Sequence, residues 1–208
     1  MPHAHVLART QDRCFMENKR DFKLLATGTE FLKHGITSTE TEVSKLFDNA
    51  DEIHMLVYAF GHDLNLLKPL EHLASIGKRI VIVVNDLYNE QPEHVRNFLI
   101  NLNKETRVTI SNFKRIYFCD KCDRRISGSE EKEKHEKETD HAVRDRGFLH
   151  AKAIVKNRNE MVTGSSNFST FGMQNHYEMG FYVRGVECNT VASMIEDLAH
   201  NKELTEII

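Results

Sequence analysis

The side chains best suited to chemistry in this sequence lie within residues 150–178. His150 and Lys152 begin an apolar segment of strand length, and Ser165 and Asn167 follow the next such segment. Because alternate residues of a strand share a face, each pair is expected to lie on one face, at one end of a strand hairpin. That face would offer an imidazole, an ammonium, a hydroxyl and a carboxamide. Such a set suits an anion with several oxygens, such as phosphate, and includes one group able to attack it.

Two further residues of the same loop, Gly164 and Ser166, are candidate substrate-binding positions. Gly164 would let the backbone approach a ligand closely. Residues 150–156 contain no Asp or Glu, so a catalytic metal would lack obvious oxygen ligands there. The alternative reading is an ordinary amphipathic hairpin in which His150 and Lys152 lie in solvent.

The spacing of these residues resembles the signature motif of the phospholipase D superfamily. That motif reads His-x-Lys, four residues, Asp, six residues, and then Gly-Ser-x-Asn. The positions that fall in its register are His150, Lys152, Gly164, Ser165 and Asn167. Asn157 stands at the motif's Asp position. An amide keeps some hydrogen bonds of a structural carboxylate, whereas loss of a carboxylate that tunes the histidine would weaken activity.

Glu178 extends the resemblance beyond the motif. It matches the acidic residue that orients the histidine in the small bacterial nucleases of this superfamily. The apolar segments of residues 53–60 and 67–86 also look like the first half of those nucleases. The resemblance therefore covers residues 40–204, apart from an inserted segment.

The resemblance implies an α/β fold, with a mixed, largely parallel sheet flanked by helices on both faces. It also implies a two-step displacement in which His150 forms a phosphohistidine and a second histidine protonates the leaving oxygen. Lys152 and Asn167, with Ser165, would stabilise the equatorial oxygens, and Glu178 would fix the tautomer of His150. Because the chain carries one copy of the motif, we expect a homodimer with one composite site on its two-fold axis.

Hydrophobic periodicity agrees with this α/β organisation. Strands are predicted for residues 21–28, 52–60, 79–86, 107–111, 150–155, 160–164 and 178–185. Amphipathic helices are predicted for residues 39–50, 67–77, 92–102 and 188–203. Residues 1–22 are hard to assign, so the domain is placed at residues 23–208.

Residues 117–143 form a charged insert within this domain, and its composition cannot bury a hydrophobic face. Cys119, Cys122, His135 and His141 have the spacing C-x2-C-x12-H-x5-H. This pattern predicts a small finger with a closed, four-coordinate, structural zinc site, and no catalytic metal. The alternative is a charged loop with two thiols. Eight acidic and six basic side chains between the first Cys and the last His provide no positive field for nucleic acid.

Arg144 and Arg146, which follow the insert, are candidate phosphate contacts, although an exposed pair of loop residues is the commoner explanation. Elsewhere the chain reads as globular, with 40% hydrophobic residues, 28% charged residues and a net charge of −3. No segment has the apolar length of a membrane span or of a signal-peptide core. The close cysteine pair favours a reducing compartment, so we expect a cytoplasmic protein without a membrane anchor.

Three functions remain open at this level. The first is a metal-independent endonuclease acting on DNA or RNA. The second is an enzyme for phosphatidyl or cardiolipin headgroups, which is less favoured because no basic amphipathic helix is visible. The third is a catalytically weak nucleic-acid-binding module, which Asn157 motivates.

Overall fold

The computed structural model describes residues 21–62 and 67–208. Its helices are α1 (Thr29–Leu32), α2 (Thr39–Phe47), α3 (Leu67–Ser75), α4 (Leu87–Glu90), α5 (Glu93–Leu102), α6 (Ser129–Thr139) and α7 (Glu187–Ala199). Its strands are β1 (Asp21–Ala26), β2 (Thr37–Ser38), β3 (Glu52–Val57), β4 (Arg79–Asn85), β5 (Val108–Phe113), β6 (Ile116–Cys119), β7 (Arg124–Ser127), β8 (Arg144–Gly147), β9 (Ala153–Lys156), β10 (Glu160–Gly164), β11 (Met179–Arg184) and β12 (Thr205–Ile207). A π-helical turn at Phe171–Asn175 lies between β10 and β11.

A nine-stranded mixed sheet forms the centre of the domain, in the order β12-β5-β4-β3-β9-β10-β11-β1-β2. The neighbours β3, β4 and β5 are parallel, and so are β1 and β2. The other neighbouring strands run antiparallel. Helical connections link the parallel strands of the β3-β4-β5 block, as parallel pairing requires. The predicted mixed α/β class is confirmed.

Helices cover both faces of this sheet. α2, α3 and α5 pack on one face, and α7 packs on the other. In β4, Ile80 and Ile82 face the first layer, whereas Val81 and Val83 face α7. Because both faces of the strand are buried, it reads as a continuous apolar segment rather than an alternating one. The continuous run of β-branched residues therefore identified this strand correctly.

Some predicted boundaries differ from the structure. The strand predicted to start at His150 starts at Ala153, so His150 and Lys152 lie in the connection that enters β9. At the amino-terminal side, β1 begins at Asp21, and the boundary drawn after residue 22 falls inside it. Residues 1–20 lie outside the described part of the chain.

The insert is an ordered unit. β6 and β7 form a hairpin, α6 follows it, and β8 pairs with the free side of β6. The unit spans residues 116–147, and none of its three strands was among the predicted strands, because a charged sequence such as the Arg-Asp-Arg-Gly of β8 carries no apolar alternation. None of the helices within residues 21–62 and 67–208 is long and apolar enough to cross a membrane.

Candidate active site

Three adjacent strands bring the motif residues together. Thr163 of β10 lies opposite Ala153 of β9, and the next backbone hydrogen bond joins the Gly164 amide to the Lys152 carbonyl at 3.4 Å. On the other side of β10, the Ser165 amide donates to the Met179 carbonyl at 3.0 Å. Lys152, Ser165 and Glu178 consequently occupy the same end of β9, β10 and β11.

Lys152 is the buried cation of the site, with a relative exposure of 5%. Its Nζ donates to the His150 carbonyl at 2.9 Å and lies 4.9 Å from the centre of the Tyr58 ring. Burial lowers the pKa of this ammonium below the ordinary lysine value, and the negative charge of Glu178 acts in the opposite direction. A partly desolvated ammonium interacts strongly with any anion that enters the site.

The imidazole of His150 is exposed and forms a cluster with two aromatic rings, which also contact each other. Its centroid is 4.8 Å from that of Tyr58 and 5.6 Å from that of Phe148, both in edge-on geometry. The backbone before it is held by Asn85, whose Oδ1 accepts from the Leu149 amide at 2.9 Å. Tyr58 and Asn85 end or follow two parallel strands, β3 and β4, and position the His150 connection.

Glu178 is held by the neighbouring strand. Its backbone amide donates to Thr27 Oγ1 at 3.0 Å, and its carbonyl accepts from the Thr27 amide at 3.0 Å. The carboxylate of Glu178 accepts a hydrogen bond from the Ser165 hydroxyl. Among the described residues it does not bond the His150 ring, so the orienting contact that the resemblance implied is absent within one protomer.

Two polar atoms at the end of the β10 loop are buried without a hydrogen-bond partner in the described chain. They are Ser166 Oγ and Asn167 Oδ1. A buried polar atom left unpaired costs about 1–3 kcal/mol, so such atoms call for a ligand or water. Their position beside Ser165 is consistent with a site for a polar ligand.

Gly164, a predicted substrate-binding position, packs closely against β11 in this structure. A Cβ at this position would lie 2.6 Å from the Gly180 Cα and 2.6 Å from the Met179 carbonyl oxygen. The close approach at Gly164 is therefore that of β10 to β11, the contact that aligns Ser165 with Glu178.

The two arginines of β8 are exposed but engaged within the insert. Arg144 forms an ion pair with Asp120, and the guanidinium of Arg146 lies 5.4 Å from the centre of the Phe118 ring. A role in phosphate binding for Arg144 would require it to exchange Asp120 for the substrate.

Asn157 lies at the far end of β9 from His150. Its Oδ1 accepts from the backbone amides of Asp51 at 2.8 Å and Glu52 at 3.1 Å. Its φ of 50° lies in the left-handed region, which Asn tolerates better than most residues. Of the two roles considered for the motif's Asp position, this geometry supports the structural one, because an amide oxygen supplies the same acceptor.

Two groups of side chains have metal-ligating atoms within 4.8 Å of one another in the described chain. One contains the four Cys and His residues of the insert, Cys119, Cys122, His135 and His141. The other contains Glu52, His54 and Glu196. In the second group Arg158 pairs with both carboxylates, and Arg79 also pairs with Glu196. These arginines already neutralise the carboxylates, so the second group is an ion-pair network that ties α7 to β3.

Tyr58, Asn85 and Thr27 were not identified from the sequence. The available signal was their position, since each follows or ends an apolar strand. Polar residues at the carboxyl ends of parallel strands are typical members of α/β sites. Which of these ends meets His150 depends on the strand order.

A family model described as "Cardiolipin synthase, PLD-like domain" matches residues 43–200. NucT from Helicobacter pylori is similar in structure, with a TM-score of 0.58 and 15% identity over 85% of this chain and 95% of that chain. Nuc from Salmonella typhimurium, described as a phospholipase D family member, has a TM-score of 0.59 and 12% identity over 91% and 99%. A phosphatidylserine synthase from Haemophilus influenzae Rd KW20 has a TM-score of 0.54 and 13% identity over 93% and 41%. No curated protein matches the sequence.

Proposed function

The chain belongs to the phospholipase D-like domain family, and on that premise we propose that it is a phosphodiesterase that cleaves DNA or RNA internally without a catalytic metal. One observation carries the proposal. Lys152, Ser165 and Glu178 lie at one end of three adjacent strands, and the exposed imidazole of His150 contacts the same Tyr58 ring as the Lys152 ammonium. This arrangement provides a nucleophile beside a cation, in a site able to take a phosphate group.

In the proposed reaction His150 attacks phosphorus and forms a phosphorus–nitrogen bond. The bond to the leaving oxygen breaks, and that oxygen takes a proton from a second histidine. Water then attacks phosphorus, gives its proton back to the second histidine and releases His150. Lys152 stabilises the charge on the equatorial oxygens, and the Asn167 side-chain amide would donate its N–H groups to them.

The second histidine is proposed to be that of another copy of the chain. A homodimer with two-fold symmetry would bring the two exposed imidazoles to a single composite site. Support comes from β11, the strand that begins directly after Glu178. Met179 and Phe181 of β11 are exposed, and so are Phe22 and Leu24 of the paired β1. This apolar surface beside the site would be covered in a dimer.

Nucleic acid is preferred to lipid as the substrate because of the share of each structural neighbour that the fold covers. NucT and Nuc match over 95% and 99% of their own length, whereas the phosphatidylserine synthase matches over 41%. The fold of this chain thus spans nearly all of NucT and Nuc and less than half of the synthase. The structural role of Asn157 also counts against a degenerate, binding-only module.

A phosphatidyl headgroup is the second candidate. The exposed apolar side chains of Phe22, Leu24, Met179 and Phe181 lie on strands that end at the site, and acyl chains could contact them. This candidate and the dimer compete for the same surface, because side chains covered by a second copy cannot bind lipid.

A substrate panel separates these candidates. Purified protein is incubated with single- and double-stranded DNA and RNA and with phosphatidyl lipids, in buffer free of magnesium, manganese and calcium. His150→Ala is the inactive variant, and His72→Ala, an exposed histidine of α3, is the matched control. Internal cleavage of nucleic acid by wild type and His72→Ala alone supports the proposal. Release of phosphatidate alone supports the lipid candidate, and binding without turnover of any phosphodiester overturns both.

The composite site has its own test. Wild type and His150→Ala are co-expressed in equal amounts so that dimers form at random. If each site needs two histidines, activity falls to about one quarter of the all-wild-type value, because only dimers with two wild-type copies act. Activity of about one half would show that each chain acts independently.

A further inference from the structure

We propose that the insert binds one zinc ion through Cys119, Cys122, His135 and His141, and that this ion positions His150 through β8. The first half stands on the geometry of the insert alone. The second half rests on the proposed function, because it concerns the placement of the proposed nucleophile.

The four side chains converge from separate elements of the insert. Cys119 ends β6, Cys122 lies in the β6–β7 turn, and His135 lies on α6. α6 ends at Thr139, and Asp140 then adopts a left-handed φ of 55°, which turns the chain back towards the cluster. All four ligating atoms lie within 4.8 Å of one another.

The distances between these atoms match the edges of a zinc tetrahedron. Zn–S bonds of about 2.3 Å and Zn–N bonds of about 2.0–2.1 Å place sulfur and nitrogen ligands about 3.6 Å apart. Cys119 Sγ lies 3.8 Å from His141 Nδ1, and Cys122 Sγ lies 3.8 Å from His135 Nε2 and 3.1 Å from His141 Nδ1. Zinc fits this set, since two thiolates and two imidazoles form a closed structural site.

The insert has almost no apolar core to hold it together. Within residues 116–147, the buried side chains are those of Cys119, Ile126 and His135. Only His135 is buried among the residues of α6. Where a finger helix would present an apolar residue to the hairpin, Lys132 lies over the Tyr117 ring, with its Nζ 5.3 Å from the centroid. A unit of this size without a core requires another source of folding free energy, and a bound metal supplies it.

β8 connects this unit to the candidate active site. It pairs with β6 over three positions, and its last residue, Gly147, precedes Phe148, whose ring packs on His150. Arg115 reinforces the connection. Its guanidinium bonds Asp145 of β8 and lies 5.8 Å from the centre of the Phe148 ring.

The insert is also anchored to the main domain. Arg115 pairs with Glu90 of α4, and Ser127 Oγ donates to the Glu203 carbonyl at 2.8 Å. Without the metal, β6 and β8 would lose the cluster that holds them against α6. The Phe148 side of His150 would then lose its support, although none of the described buried residues that form the core of the main domain belongs to the insert.

The metal is tested on the full-length chain. Zinc content is measured by mass spectrometry of the element, and the thiolate-to-metal absorption is recorded after exchange to Co²⁺. Wild type is expected to hold one zinc per chain, and Cys122→Ser and His135→Ala to lose it. The matched controls are Cys188→Ala, a buried thiol of α7, and His72→Ala, which should keep it. His141→Cys supplies a fourth ligand of another type and should retain zinc if the other variants fail to fold.

A wild-type protein without stoichiometric zinc overturns the proposed zinc site, as does a disulfide between Cys119 and Cys122 in protein purified under reducing conditions.

The positioning of His150 by the zinc site is tested with bis(p-nitrophenyl) phosphate as the substrate. Loss of zinc is expected to lower kcat by about tenfold to a hundredfold, because a displacement of about 1 Å at a reacting group has that effect. Arg115→Gln should lower kcat while zinc is retained.

An unchanged kcat in zinc-free protein overturns the positioning role and leaves the zinc site intact. If wild type binds zinc but cleaves no phosphodiester, the proposed function fails and the zinc assignment stands. The two failures are thus distinguishable.

Discussion

Asn157 provides the most direct test of how this site is built. It stands where the superfamily motif has Asp, and the structure assigns its side chain to the start of β3 rather than to the reaction. Replacing it with Ala removes the acceptor for the Asp51 and Glu52 amides and leaves an alanine at a φ of 50°. We therefore expect Asn157→Ala to lower stability and to leave the chemistry unchanged.

The size of the effect follows from these contacts. Each intramolecular hydrogen bond contributes about 0.5–1.5 kcal/mol net. A left-handed conformation costs an ordinary L-residue about 1–2 kcal/mol. Because the site is partly exposed, the lower part of each range applies, and the free energy of unfolding should fall by about 2–3 kcal/mol. In a domain of this size that lowers Tm by about 4–12 °C.

Asn49→Ala is the matched control. Asn49 has a φ of 53°, and no side-chain hydrogen bond of Asn49 is present in the described chain, so this change isolates the backbone strain. Asn157→Asp should restore the superfamily residue with unchanged or higher stability, since a carboxylate accepts the same two amides. Thermal unfolding and kcat are measured for all three variants well below their Tm. A large loss of kcat in Asn157→Ala at unchanged Tm would falsify the structural role.

Three further predictions concern charge and packing. Lys152 offsets the phosphate charge only when its ammonium is protonated. Activity should therefore fall as pH rises through the lowered pKa of Lys152, and Glu178→Gln should lower that pKa further. A pH profile of kcat/KM that does not change in Glu178→Gln contradicts this. Although burial opposes it, hydrogen bonding led by Arg158 holds the pKa of Glu196 at about 2. A carboxyl group with a lowered pKa stabilises the fold at pH values above 4.5, its pKa in the unfolded chain, and this contribution is lost as pH falls towards about 2. Urea unfolding should therefore show that Glu196→Gln is less stable than wild type at neutral pH and nearly as stable in strong acid. Tyr58→Ala should lower kcat about tenfold and Tyr58→Phe hardly at all, because the ring, not its hydroxyl, supports the site; equal losses in steady-state kinetics would refute that role.

The sequence alone was sufficient for the local features of this protein. The β4 segment is apolar at every position from Ile80 to Val84 because both faces of that strand are buried, and this signal needs no knowledge of its neighbours. The motif residues were identified by spacing along the chain. The Cys and His spacing of the insert likewise predicted the cluster that the structure brings together.

Tertiary structure decided the contacts between distant segments. Thr27 holds Glu178 only because β1 pairs with β11, and Tyr58 supports His150 only because β3 lies beside β9. Strand order follows from the packing of all the helices and strands at once, so no local pattern encodes it. Glu178 was expected to bond His150, and within one protomer it bonds Ser165 instead. Spacing along the chain gives the residue types at a site, whereas the register between strands determines which of them touch.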